Sequence, residues 1–251
     1  NLQTALNAAT SCGDSVEIHA GTWDNNDTTA TAISGYCGGK PGGKVLMTVK
    51  SAPCKDEKQR RFVRGALMAN SQDMPIITLT GATATSAMSL GLNATDNVDY
   101  VTVDHIDFMD AVSQQGCLSY FWMPVIYLRA EANHARFTNN IFRGDPGDDA
   151  DGDGFTLMTP AECPNQESAS EDGLVAIGSS GNGAQVHDYI ELDGNTVNMC
   201  GFLGIKGQGS SDCCTCARTG WHIHDNKIIT ELRTYNPIIT SKCNSTNTRI
   251  S

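Results

Sequence analysis

The chain has 251 residues, of which 39% are hydrophobic, and its formal net charge is −11. This charge argues against a nucleic-acid-binding protein, because no basic stripe is present to displace counterions from phosphates. No apolar stretch approaches the roughly 20 residues of a membrane-spanning helix, so no membrane span is expected. No Pro- or Ser-rich linker divides the sequence, which predicts a single domain over residues 1–251.

The chain begins with a predicted helix and strand. Apolar residues on one stripe predict a short amphipathic helix over Leu2–Thr10, within an N-terminal cap of residues 1–12. Val16–Ala20 follows as a strand, and Gly21–Trp23 is predicted to form a turn. A helix lying over the first strand would cover an open strand edge, which otherwise invites aggregation.

The rest of the chain predicts many short strands and few helices, because apolar residues mostly alternate with polar ones. The basic run Lys58–Arg64 is interpreted as a solvated loop or a strand edge. Two long irregular segments, 144–172 and 207–219, are predicted to be loop insertions.

Four short segments can be aligned with one another, each beginning and ending on an apolar residue five positions apart. They are Val103–Phe108, Phe137–Phe142, Leu192–Val197 and Ile223–Ile228. In three of them an Asn occupies the same place: Asn140, Asn195 and Asn226. A repeated short strand followed by a polar corner is typical of a parallel β-solenoid. Strands about 4.8 Å apart would let the three amides form a hydrogen-bonded Asn ladder.

The ten cysteines favour an oxidising compartment. They are Cys12, Cys37, Cys54, Cys117, Cys163, Cys200, Cys213, Cys214, Cys216 and Cys243. An even count in a chain that does not begin with Met favours a secreted protein whose signal peptide has been removed, with disulfides that pin the irregular loops. The alternative for Cys213–Cys216 is a metal site, although no second cysteine pair at zinc-finger spacing accompanies it. N-glycosylation sequons at Asn26, Asn93 and Asn244 also favour secretion.

The opening segment Leu2–Trp23 carries a resemblance to a known superfamily. It has a capping helix, then Gly13-Asp14, an apolar strand and a Gly-Thr-Trp turn, and Gly42–Pro53 is similar to the next strand. In these features, and in its Asn-bearing segments, the chain resembles the pectin-lyase-like superfamily. The resemblance implies an all-β, right-handed parallel β-helix. It implies little about function, because that fold hosts lyases, hydrolases, adhesins and structural proteins.

An acidic segment indicates a calcium site. Asp149, Asp151 and Asp153, followed by Gly154, have the spacing at which alternate carboxylates converge on one hard cation. The position where an EF-hand needs Glu is occupied by Pro160, so Glu162 or Asp148 would complete the ligand set. The alternative is a solvated acidic loop.

The resemblance also suggests catalytic candidates, because polysaccharide lyases of this superfamily combine a neutralising cation, often calcium, with a Lys or Arg base. Asp104-His105 is similar to the Asp-His step of a pectate lyase motif, although the Trp that usually precedes it is missing. Arg129 and Lys206 would complete the group. Otherwise Asp104 and His105 are ordinary outward polar residues of a strand.

Two functions of different classes remain open, so an enzymatic activity is not assigned. One is a non-catalytic, glycosylated, disulfide-rich extracellular protein that self-assembles into an appendage, surface layer or matrix. The other is a calcium-dependent polysaccharide lyase or related carbohydrate-active enzyme. Catalytic residues that converge in one groove would favour the second, and loops packed as a subunit interface would favour the first.

Overall fold

A computed structural model of the protein describes residues 1–24, 31–32, 44–66, 74–78, 86–93, 95–109, 125–128, 130–143, 174–175, 177–179, 187–198, 201–205, 218–229, 239–241, 245–246 and 249–251. Within these residues the fold is mostly β, with parallel strands in three main sheets and one α-helix near the N-terminus. This agrees with the predicted all-β class. The predicted loop insertion 144–172 lies outside the described residues, as does 207–217 of the predicted insertion 207–219, whose last two residues form a strand instead. The rest of the two insertions and the single-domain assignment stay predictions.

The helix α1 spans Leu2–Ala8 and begins at Asn1, whose side chain accepts hydrogen bonds from the backbone N–H groups of Gln3 and Thr4. It ends two residues before the predicted end at Thr10. The buried Gln3 amide fixes its position, because it accepts from the Thr48 N–H at 2.8 Å and donates to the Thr48 carbonyl at 3.1 Å. No helix in the described part of the chain has both the length and the apolar character to cross a membrane.

Strands are numbered in chain order. The first sheet contains, in spatial order, β1 (Ser15–Ile18), β5 (Arg61–Gly65), β8 (Val101–Asp104), β11 (Arg136–Thr138), β15 (Glu191–Asp193), β19 (His222–His224) and β23 (Arg249–Ile250). The second sheet contains β2 (Gly21–Trp23), β6 (Pro75–Thr78), β9 (Asp107–Met109), β12 (Ile141–Arg143), β16 (Thr196–Asn198) and β20 (Lys227–Ile229).

The third sheet contains β14 (Ile177–Ser179), β10 (Ile126–Leu128), β7 (Ser86–Leu90), β4 (Lys44–Val49) and β3 (Thr31–Ala32). Two smaller groups are β13 (Leu174–Val175) with β17 (Gly201–Ile205) and β21 (Ile239–Ser241), and β18 (Arg218–Thr219) with β22 (Ser245–Thr246). Among the described strands, the pair β3 and β4 is antiparallel, and the other pairs are parallel.

The chain visits the first two sheets in alternation, so that each sheet grows in sequence order. We call a strand of the first sheet and the next strand of the second sheet, joined by a corner, a rung. The rungs β8–β9, β11–β12, β15–β16 and β19–β20 contain the four segments that the sequence aligns. Their strands pair in that same register, so the alignment is confirmed.

Apolar side chains that share a register position form the core. In the first sheet one inward column consists of Val63, Val103, Phe137, Leu192 and Ile223, and none of these is more than 3% exposed. In the second sheet Phe108 stacks on Phe142 with 5.3 Å between ring centroids. Each rung therefore buries its apolar residues against the rungs above and below it.

The prediction that Lys58–Arg64 is a solvated loop or strand edge is wrong. Its second half is β5, an interior strand between β1 and β8, and Arg60 and Arg61 are 5% and 2% exposed. Backbone carbonyls offset only part of the cost of this burial: the Arg61 Nη1 donates to the Lys50 carbonyl at 2.8 Å, whereas its Nε and Nη2 are buried without a hydrogen-bond partner. Burial lowers the pKa of Arg61.

Two further findings concern the N-terminal region. Gly21–Trp23, which the sequence predicts as a turn, is strand β2 and pairs with β6. A disulfide joins Cys12, just after the helix, to Cys54. The other eight cysteines lie outside the described residues.

Candidate functional site

The predicted catalytic residues Asp104 and His105 lie at the corner that follows β8. The Asp104 Oδ1 accepts hydrogen bonds from the Thr138 hydroxyl at 2.7 Å and from the Asn139 amide at 3.1 Å. The Asp104 Oδ2 lies 2.9 Å from the His105 Nδ1. The carboxylate therefore links its own rung to the next one. The other two predicted members of this group, Arg129 and Lys206, lie outside the described residues.

The residue after each of these strands adopts the left-handed backbone conformation. The φ angles are 54° at His105, 54° at Asn139, 63° at Gly194 and 54° at Asp225. Gly adopts this conformation freely, and Asn, Asp and His are enriched in it. The corner thus has a sequence requirement of its own, which explains why His105 follows Asp104.

The three aligned asparagines follow that position, and their amides bond to one another. The Asn140 N–H donates to the Asn195 Oδ1 at 3.0 Å, and the Asn195 N–H donates to the Asn226 Oδ1 at 2.9 Å. The side-chain amide of Asn140 donates to the Val103 carbonyl at 2.9 Å. Asn140 and Asn195 have no exposed surface. These bonds satisfy buried backbone groups at the corners, where no strand partner is available.

Stacked aromatic rings lie just before strands of the first sheet, at the opposite end of those strands from the Asn corners. Tyr100 lies on His134 with 4.5 Å between ring centroids, and His134 lies on Tyr189 at 4.7 Å. The Arg60 guanidinium covers the outer face of Tyr100 at 5.7 Å. Beyond Tyr189 stands Gly220, where an added Cβ would collide with the tyrosine ring. Ring faces are therefore used within the column, and only the ring edges are available to a ligand.

An open groove of about 610 Å³ runs beside this ring column. Its lining combines ring edges with polar groups and consists of Ser51, Ala52, Pro53, Cys54, Lys55, Asn97, Asp99, Tyr100, Asn133, His134, Asp188 and Tyr189. Several of the polar groups are already engaged. The Asp99 Oδ1 accepts from the Asn133 N–H at 2.7 Å, and the Asn133 Oδ1 accepts from the Asp188 N–H at 2.9 Å.

An ion-pair group lies near the Arg60 end of the column. The Arg60 Nη2 donates to the Glu57 Oε1 at 2.6 Å, and the Arg136 Nη2 lies 3.5 Å from the same oxygen. The pKa of Glu57 is lowered, chiefly by the hydrogen bond from Arg60 and also by the charges of Arg136 and His134, while burial opposes the shift.

A second set of ionisable side chains lies on the outward face of the first sheet, on strands β15 and β19. We call Glu191, His222 and His224 the His–Glu cluster. Within it each residue offers one ligand atom, and these atoms lie within 4.8 Å of one another. Asp193 and Asp225 adjoin it, and together with His224 they form an overlapping group of the same kind. All five belong to the part of the chain that the structure describes.

Charge is concentrated around His224. Its Nδ1 lies 2.8 Å from the Asp225 Oδ2 and 3.3 Å from the Asp193 Oδ1, and its Nε2 lies 3.4 Å from the Glu191 Oε1. The pKa of His224 is raised, first by the hydrogen bond to Asp225 and further by Glu191 and Asp193, while burial opposes the shift.

The sequence contained a signal for this cluster that was not used. Aligning Leu192 with Ile223 also places Glu191 beside His222. Two residues further along the strand, on the same face, is His224. An imidazole pair on one strand, opposite a carboxylate on the next, is a combination that binds metals.

Most residues of the predicted calcium and glycosylation sites lie outside the part of the chain that the structure describes. The calcium candidates Asp149, Asp151, Asp153 and Glu162 lie outside the described residues, as do Asn26 and Asn244. Asn93 is exposed, in a turn where its N–H donates to the Asp96 Oδ2 at 2.9 Å. Calcium binding and glycosylation therefore stay predictions.

Comparison with known proteins gives no assignment. The chain matches no protein-family model, no curated protein and no solved structure.

Proposed function

We propose that this chain is a secreted, right-handed parallel β-helix with a non-catalytic structural role in an extracellular appendage, surface layer or matrix. In this proposal the protein is glycosylated and calcium-bound, further disulfides pin its loops, and it self-assembles into a polymer. The superfamily resemblance supports the handedness, and the cysteine and sequon content supports secretion.

The observation that carries the proposal is the set of hydrogen bonds that the Asp104 carboxylate accepts. Its carboxylate holds Thr138 and Asn139 of the next rung, and it also contacts His105. The residues that most resemble a catalytic pair are thus used to connect rungs. Nearby, the Arg64 guanidinium bonds at 2.7 Å to Glu17 on the adjacent strand β1, which is a further link between neighbouring rungs on the same outward face.

The alternative, a calcium-dependent polysaccharide lyase, is favoured by one observation. The His105 Nδ1 lies 2.9 Å from the Asp104 Oδ2, so a potential general base stands beside a carboxylate, although this nitrogen makes no hydrogen bond. Arg129 and Lys206 would have to reach the same groove, and calcium would neutralise an acidic polysaccharide.

Electron microscopy of the secreted protein, with analytical ultracentrifugation over a range of concentrations, tests the structural role. Filaments, sheets or concentration-dependent growth are expected. Incubation with acidic polysaccharides and calcium provides the enzymatic comparison, because β-elimination leaves an unsaturated sugar that absorbs ultraviolet light. Monomeric rods that depolymerise such a substrate, with activity lost in H105Q and kept in the matched variant H19Q, would replace the structural role with the lyase.

A further inference from the structure

We propose that the His–Glu cluster binds a first-row transition dication such as Zn²⁺, with Glu191, His222 and His224 as ligands. The inference concerns the outward face of the first sheet and uses none of the residues of the predicted calcium site. It does not depend on whether the protein assembles or acts as an enzyme.

The backbone places the three side chains together. Glu191 and His222 are register partners on the parallel strands β15 and β19. His224 is two residues beyond His222 on the same strand and therefore projects from the same face. The centroids of the two imidazole rings are 4.0 Å apart. A sheet holds such positions more rigidly than a loop does, which limits the entropy lost when a metal binds.

The ligand atoms have a spacing that suits one small ion. Zinc takes imidazole nitrogens and carboxylate oxygens at about 2.0–2.2 Å, so two ligand atoms on a tetrahedral ion stand about 3.3 Å apart. The Glu191 Oε1 lies 3.4 Å from the His224 Nε2. Glu191, His222 and His224 each offer one ligand atom, and these three atoms lie within 4.8 Å of one another, so a bound tetrahedral ion has to draw them together by at most about 1.5 Å.

Two of the ligand side chains have the hydrogen-bonding or ion-pair partners that are usual for metal ligands. Metal-binding histidines usually pair their second ring nitrogen with a carboxylate, and ligating carboxylates are themselves hydrogen-bonded. The Nδ1 of His224 faces Asp225 and Asp193 at 2.8 Å and 3.3 Å. The second oxygen of Glu191 lies 2.6 Å from the Arg136 Nε. This leaves the Oε1 of Glu191 and the Nε2 of His224 directed at each other.

The ligand types select the class of metal. Two imidazoles and one carboxylate suit zinc, copper, iron or nickel, whereas calcium prefers six to eight oxygen ligands. Three protein ligands also leave at least one coordination position for water or for a donor from another molecule. The site is thus distinct in chemistry from the predicted calcium site at Asp149, Asp151 and Asp153.

Isothermal titration of Zn²⁺ into chelator-treated protein tests the proposal. Wild-type protein is expected to bind Zn²⁺, and E191Q and H222Q are each expected to weaken this binding at least tenfold. The matched control is H105Q, which alters another half-buried histidine paired with a carboxylate on the same sheet and should leave the affinity unchanged.

Thiolates and carboxylates are also metal ligands by type, and the chain has others outside the cluster, so the bound ion must be located. The ring ¹⁵N resonances of His222 and His224 in wild-type protein should shift on Zn²⁺ addition, while those of His105 should not. This measurement remains decisive even if a variant fails to fold. Absence of Zn²⁺ binding up to about 1 mM, a value chosen as the weak limit of specific affinity, or binding that leaves both ring resonances unmoved, would overturn the proposal.

Discussion

Asn195 connects two rungs through both ends of its side-chain amide. Its Oδ1 accepts the Asn140 N–H at 3.0 Å, and its Nδ2 donates to the Phe137 carbonyl at 2.8 Å. The side chain has no exposed surface, so water cannot replace these bonds. The stability of the corner therefore depends on this residue type and not only on its polarity.

Replacing Asn195 with Ala should lower the free energy of unfolding by about 2–6 kcal/mol, because two buried backbone groups lose their partners at about 1–3 kcal/mol each. Urea denaturation measures the change. Asn226→Ala is the matched control and should cost less, since Asn226 is partly exposed and water can reach the groups it leaves. Equal losses in both variants would contradict the role assigned to burial.

Replacing Gly220 with Ala should disrupt the end of the ring column. The new Cβ would collide with the Tyr189 ring, and overpacking of this kind costs about 1–3 kcal/mol. Gly13→Ala separates this collision from backbone strain, because Gly13 also has a positive φ of 87° but has open space around it. Thermal unfolding should show a larger loss for Gly220→Ala; equal losses would mean that strain alone acts.

Glu57 should titrate below an ordinary glutamate. Its pKa is lowered, chiefly by the hydrogen bond from Arg60. A group whose folded pKa is lowered adds stability above its unfolded pKa, and this contribution disappears as the pH falls through the folded pKa. Carboxyl NMR of the Arg60→Gln variant should show the Glu57 midpoint moving up toward its ordinary value. Arg64→Gln should leave it unmoved, and a similar shift in that variant would point to a general charge effect.

The Cys12–Cys54 disulfide should contribute substantially to stability. The two residues are 42 positions apart, and closing a loop of that length in the unfolded chain corresponds to about 4 kcal/mol in the chain-entropy model. A Cys12→Ser, Cys54→Ser double variant, denatured by guanidinium under oxidising conditions, measures this value. A loss well under about 1 kcal/mol would mean that the unfolded chain already holds these segments together.

Chelation should lower the melting temperature if the acidic segment binds calcium, because a ligand of the native state stabilises it by mass action. Restoration by Ca²⁺ in wild-type protein but not in the Asp151→Asn variant assigns the effect to that segment. An unchanged melting curve in the presence of chelator would leave the segment as a solvated acidic loop.

The sequence predicted the parts of the fold that depend on local repetition. The aligned segments fall in register because a one-residue slip would turn Val103 and Phe137 outward, and the alignment of Asn140, Asn195 and Asn226 follows from that register. The burial of Arg60 could not be predicted in this way. Its Nη1 donates to carbonyls of Val101 and His134 at 3.1 Å and 2.8 Å, and these lie on two other rungs of the stack.

The candidate site was only partly accessible to sequence reasoning. The order Asp104-His105 can be recognised along the chain, whereas the contacts of these residues with the next rung depend on strand pairing. The His–Glu cluster joins residues from separate strands, so its recognition requires a comparison of neighbouring columns, not a search for a motif along the chain.

The number of residues between equivalent corners differs from rung to rung, although the hydrogen bonds at the corners are the same. Ile106 is separated from Asn140 by 34 residues, Asn140 from Asn195 by 55, and Asn195 from Asn226 by 31. The same hydrogen-bonded corner is thus reached after excursions of very different length. Doubling the length of a flexible loop costs only about 0.6 kcal/mol. The stacked corners can therefore stay the same while the length of the chain between them changes. Foreign peptides grafted into the predicted loop insertion 144–172, which lies between β12 and β13 in the chain, should therefore be displayed without disturbing the stack.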